Sequence, residues 1–127
     1  MKVPDQFRSS VIRVLKELAQ DQDDKIIYVS AIVLSWLAEC PDNHSDIISD
    51  DLSSLIDRFI LNANLHIIDY GLIMALNLLN YGNETTQLKV KQNVSQNTVR
   101  ELIQDENTEE WAILTAELLD EWLCTIS

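Results

Sequence analysis

Enzymatic chemistry in a chain this small would need a base, a nucleophile or a metal set held close together, and the residue types that could supply them are few. Histidine, the side chain best suited to moving a proton near neutrality, occurs twice, as His44 and His66. The two are isolated: His44 falls in an expected loop and His66 at the start of an apolar helix, so a satisfied or solvated ring is the expectation for both. Cys40 and Cys124 lie near the ends of expected inner helices, where a small buried hydrophobe is the ordinary role. Neither has a basic neighbour in sequence to favour its thiolate. No H-E-x-x-H, Glu-x-x-His or C-x-x-C spacing occurs, which removes the common zinc, di-iron and redox arrangements.

Asp42, His44 and Asp46 alternate like ligands of a metal loop. Ile47, however, stands where a calcium-binding turn needs glycine, and Ser53 where it needs a bidentate glutamate. Asp21, Asp23 and Asp24 fail in the same way, with Ile26 at the turn. Gly71 and Gly82 are the only glycines, too few for a loop that cradles phosphate. Carboxylate pairs such as Asp50/Asp57 and Glu117/Glu121 could exchange protons, but on an exposed helix they read as a solvated face. No catalytic residue, metal or cofactor is expected, and the chain does not read as an enzyme.

Whatever the side chains do, helices must position them. The 127 residues include two glycines and two prolines, too few for the tight turns of an all-β fold. A hydrophobic fraction of 46% supports one core, so residues 1–127 are expected to form a single all-α domain. Charge is the second constraint. Nine Lys and Arg face 21 Asp and Glu, a net of −12. Residues 1–40 carry five cations and six anions, residues 41–80 one and six, and residues 81–127 three and nine. Such a field repels nucleic acid and anionic lipid and attracts a basic protein. The charge-free stretch from Ile26 to Ala38 is short of the roughly 20 residues that span a bilayer. With no secretory pattern at the Met-Lys-Val-Pro-Asp start, a cytoplasmic location is expected, and the N-x-Ser/Thr triplets at Asn43, Asn83 and Asn93 are chance matches.

Apolar spacing marks the helices. Phe7, Val11, Val14/Leu15 and Leu18 form an amphipathic first helix, and Asp21 to Asp24 lead into a second, apolar on nearly every side, which Pro41 stops. Ile48, Leu52, Leu55/Ile56, Phe59 and Ile60 suggest a third helix with Asp50, Asp51, Asp57 and Arg58 outward. Leu65 to Tyr81 suggest a fourth, with Gly82 as a left-handed cap. Residues 84–106 should form one kinked helix or two, with Thr98 and Glu101 as a capping box. Thr108 should cap a last helix striped by Trp111, Leu114, Leu118 and Trp122. Trp36, Trp111 and Trp122 are expected in the core by default, although Trp122 could also reach a rim beside Asp120 and Glu121.

A shift of 41 carries Val11, Val14, Leu15 and Leu18 onto Leu52, Leu55, Ile56 and Phe59, and a shift of 42 carries Tyr28, Leu34 and Leu37 onto Tyr70, Leu76 and Leu79. An outer and an inner helix repeated at this length resemble the HEAT/armadillo class of helical repeats, chiefly over residues 5–80. The resemblance implies three stacked hairpins of six or seven helices, a short HEAT-like α-solenoid or compact helical array.

The lack of an active-site pattern, the acidity and the stiff scaffold together suggest a non-catalytic inhibitor. Its character is similar to that of immunity proteins or antitoxins: it would cover the active site of a basic toxin, with a nuclease the expected class. The attracting surface would comprise Asp50, Asp51, Asp57, Glu110, Glu117, Asp120 and Glu121, with Trp122 as an apolar anchor. The alternatives are an adaptor whose groove holds a peptide or a neighbouring subunit and, less well supported, a DNA mimic. No direct contact with nucleic acid or membrane is expected.

Overall fold

A computed structural model describes residues 3–125, within which lie eight α-helices, one short 3-10 turn and no strand. The order is α1 (Asp5–Leu18), α2 (Asp24–Leu37), the turn Pro41–Asn43, α3 (His44–Ile48), α4 (Leu52–Ile60), α5 (Leu65–Tyr81), α6 (Glu84–Asn93), α7 (Gln96–Gln104) and α8 (Glu110–Thr125). The all-helical expectation holds.

Packing follows the alternation in the sequence. The three apolar helices lie side by side, α2 along α5 and α5 along α8, backed by α1, α4 and α7 respectively. Ala31, Leu34, Leu37, Ile67, Leu72, Ala75, Leu78, Leu79, Ala116 and Leu119 are all buried between these layers. Leu52, Ile56, Phe59 and Ile60 close α4 onto the core. Gly71 makes that closure possible, because a Cβ there would collide with the Phe59 Cβ and lie 3.3 Å from Ile60 Cγ2.

The repeat is physical as well as numerical. Tyr28 and Tyr70 touch, Asn77 donates to the Ser35 carbonyl at 3.0 Å across 42 positions, and Trp122 donates to Asn80 Oδ1 at 3.1 Å across another 42. All three contacts join neighbouring inner helices, so each unit repeats the placement of the one before it.

Several local expectations are corrected. The third helix is two: α3 ends at Ile48, Asp50 takes a left-handed backbone (φ 59°), and α4 begins after Asp51, whose side chain accepts from the Ser54 amide at 3.0 Å. Asp tolerates that backbone better than most side chains, and the cap makes a fresh start favourable. Gly82 is extended (φ −87°), not left-handed; glycine is required because a Cβ would press on the Leu78 carbonyl and lie 2.7 Å from Thr86 Cγ2. Residues 84–106 take the two-helix form, one of the two expected, but Ser95 and not Thr98 caps the second helix by accepting from the Thr98 amide. The last helix begins at Glu110, with Ile113 bonded to the Glu109 carbonyl, one residue beyond the start that a Thr108 cap implied.

His44 is no loop residue. It opens α3, is buried at 3% exposure, and its Nε2 lies 2.6 Å from the Ala38 carbonyl oxygen. Beside it Asn43 donates to the Leu37 carbonyl at 2.9 Å. Together they satisfy carbonyls at the end of α2 that have no partner within the helix. Burial pushes the His44 pKa down, and the Ala38 hydrogen bond opposes this only in part.

Candidate protein-binding surface

The carboxylates named from the sequence separate into two groups. Asp50, Asp51 and Asp57 belong to α4 and its approach, where they line two adjoining clefts of about 500 and 590 Å³ that share Asp51 and Ser54. Glu110, Glu117, Asp120 and Glu121 belong to α8, which backs onto α5 and α7 rather than α4.

The first group is largely engaged in holding the fold. Lys16 from α1 donates to the Asp46 and Ser49 carbonyls, both at 2.9 Å, and stands 4.0 Å from Asp50. It therefore ties off the end of α3 as well as neutralising an acid. Asp51 is spent as a cap. Asp57 is half-buried beside Arg58, which lines the same cleft. Removal from water pushes the Lys16 pKa down, while Asp50 and Asp46 act in the opposite sense.

The α8 group contains one engaged acid and three free to meet solvent. Asp120 accepts from Gln96 at 3.0 Å and pairs with Arg100 at 3.2 Å inside the α7 and α8 hairpin. Glu110, Glu117 and Glu121 are exposed. Between them, at helical spacing, Trp111 is 72% exposed, Leu114 54% and Leu118 52%. The structure thus corrects the placement of two tryptophans: Trp111 and Trp36 stand on the surface, not in the core. Trp122 is half-buried, with its N–H held by Asn80. On α8 the buried side is Ala112, Ala116, Leu119 and Leu123, so its second apolar strip is left uncovered.

Cys124 is likewise exposed rather than a core residue, and its sulfur accepts from Gln96 Nε2 at 3.0 Å. Cys40 is half-buried. His66 is exposed and meets Tyr28 edge on, ring centroids 6.2 Å apart. Among the described residues no group of three His, Cys, Asp or Glu could hold a metal ion, and no helix is long and apolar enough to cross a membrane.

Sequence reasoning overlooked one recurring feature. Lys16, Arg58 and Arg100 follow one another at intervals of 42, and each holds a neighbouring element. Arg58 donates to the Ala19 carbonyl at 3.0 Å and the Asp21 carbonyl at 2.6 Å, clamping the end of α1. The interval itself carries the signal, which the apolar positions of the repeat do not reveal. Comparison with protein-family models, with curated proteins and with solved structures finds no match to this chain.

Proposed function

We propose that the chain is a non-catalytic protein-binding module and that the outer side of α8 takes a basic protein. The observation that carries this reading is the alternation on one helix of Trp111, Leu114 and Leu118 with Glu110, Glu117 and Glu121, all in solvent. A large aromatic with aliphatic neighbours supplies the area that dominates binding energy, while a charged rim sets partner choice and encounter rate. A cationic surface with an apolar centre complements it. The net charge of −12 acts in the same direction at long range.

Within this reading the partner class is a basic toxin, with nucleases the expected members because their nucleic-acid clefts are lined with cations. The chain would act as an immunity protein or antitoxin does, by covering that cleft. The HEAT/armadillo resemblance enters only as architecture, with α2, α5 and α8 as inner helices and α1, α4 and α7 as outer ones. The test is affinity capture of basic proteins from source cells on wild type and on a Glu110→Gln/Glu117→Gln/Glu121→Gln variant. The captured protein is then purified and assayed for nuclease activity with and without the chain. Retention by wild type alone, with the activity suppressed, supports the reading; equal retention by both rejects it.

A second reading, an adaptor that holds a peptide or a neighbouring subunit, rests on the exposed Trp111, Leu114 and Leu118 without the glutamates. It differs in salt dependence: association at an apolar groove changes little with ionic strength, whereas steered binding slows steeply.

A further inference from the structure

Among the described residues nothing covers either end of the helical stack, and the two ends differ in chemistry. At the α8 end the apolar residues are interleaved with glutamates. At the other end α1 presents Phe7, Val11 and Val14, exposed by 53%, 37% and 47%, and α2 presents Val29, exposed by 51%. Ser30 donates to the Leu15 carbonyl at 2.6 Å, which sets Val29 and Val14, their chain neighbours, at the same level of the hairpin. The residues of α1 run at three- and four-residue spacing, so they form one strip. The charged residues Arg13, Lys16 and Glu17 are turned toward the cleft shared with α3 and α4 instead.

A repeat stack normally closes with a polar outer face, since an apolar one would associate. We propose that this α1 and α2 face is a self-association surface, and that its occupant is the same face of a second copy, related by a two-fold axis. Charge decides the occupant. The face carries no carboxylate to attract the basic partner expected at α8. It also lies in the part of the chain where five cations nearly balance six anions, the remaining excess of eleven negative charges residing in residues 41–127. Two copies can therefore meet here, and at no comparably apolar place on α8, without opposing rows of carboxylates. A two-fold contact closes on itself and stops at the dimer. The face spans two 14-residue helices, each about 21 Å long, which is at the small end of specific interfaces. The dimer should accordingly be reversible.

Sedimentation velocity across a range from roughly 5 to 500 µM, at low and high salt, tests this. The weight-average mass should climb from 14.5 kDa toward twice that value and no further. Higher salt should strengthen the association by screening the repulsion between two acidic bodies. Val14→Asp and Val11→Asp should each weaken it ten-fold or more while the helical circular dichroism is unchanged, and Leu114→Asp on α8 should leave it as it was. A monomer at every concentration, a series growing beyond the dimer, or a dimer sensitive to Leu114→Asp but not to Val14→Asp would overturn the proposal. The first two results leave the reading of α8 untouched, whereas the third would place a second copy on the α8 strip.

Discussion

Tyr28 and Tyr70, equivalent residues of successive units, meet edge to face with ring centroids 5.8 Å apart and planes at 65°. The contact joins α2 to α5 on the side where Asn77 also reaches Ser35, so it belongs to the seam that makes two hairpins one body. Edge-on pairs of this kind contribute about 0.5–1.5 kcal/mol beyond their buried area. A double-mutant cycle of Tyr28→Ala and Tyr70→Ala, read by urea denaturation, should give a coupling in that range. Strict additivity would mean that the rings merely lie near one another.

Arg58 is the stronger tie between units. Its guanidinium is part-buried and serves two carbonyls at the end of α1, so Arg58→Ala leaves both acceptors short of a donor. Hydrogen bonds to charged groups are worth about 1.5–3 kcal/mol each, and a loss of at least about 2 kcal/mol is expected. Arg58→Lys should recover part of it, since a single ammonium can reach one carbonyl but lacks the fork. Chemical denaturation of the three proteins checks the order.

His44 makes stability depend on pH in a defined direction. Burial holds its folded pKa below the ordinary 6.5, so below pH 6.5 the unfolded chain takes up a proton that the folded chain resists. Stability attributable to His44 is therefore complete above 6.5 and lost as pH falls from there. His44→Gln should be less stable than wild type at pH 8, because the Ala38 carbonyl loses a fitted partner. The gap should narrow as pH is lowered toward 5. A constant gap would show that His44 titrates alike in both states, and a widening one that folding raises its pKa.

The positions of the helices could be read from the chain because apolar spacing reports which side of a helix is covered. The apolar spacing alone places Leu15, Leu52 and Phe59 on covered sides, and all three are buried. The same logic failed at the ends of the stack. Trp36 and Trp111 occupy helical strips that a further hairpin would cover, and a sequence does not distinguish a strip facing a neighbour from one facing water. The break at Asp50 was hidden for a different reason: Ile48 and Leu52 keep helical spacing across it, while Lys16, distant in sequence, supplies the bonds that end α3. Three of the seven proposed carboxylates also proved to have local duties, Asp50 beside Lys16, Asp51 as a cap and Asp120 as partner to Arg100. Such pairings depend on which helices become neighbours.

Asp69 shows how an inner helix accommodates a carboxylate. Its Oδ1 is buried without a hydrogen-bond partner. Desolvation chiefly, and then Glu109, raise its pKa above the ordinary 3.8, with His66 acting in the opposite sense. The folded state thus binds this proton more readily than the unfolded state does, and ionisation at neutral pH works against folding. Asp69→Asn should raise the Tm at pH 7, and the gain should shrink as the pH approaches 3.8 and wild-type Asp69 becomes protonated. A lower Tm for Asp69→Asn at pH 7 would mean that the charge is stabilised by its surroundings.

The central claim is that α8 offers an apolar strip with an acidic rim to a basic protein. Its most direct test is the affinity of the purified captured partner for wild type, Trp111→Ala and Glu117→Gln/Glu121→Gln, each titrated between 50 and 500 mM salt. We expect Trp111→Ala to weaken binding by about 2 kcal/mol or more at every salt concentration, as removal of a central aromatic anchor does. The double glutamine variant should lose affinity mainly at low salt, flattening the salt dependence. Full affinity in both variants, with the wild-type slope retained, would contradict the account.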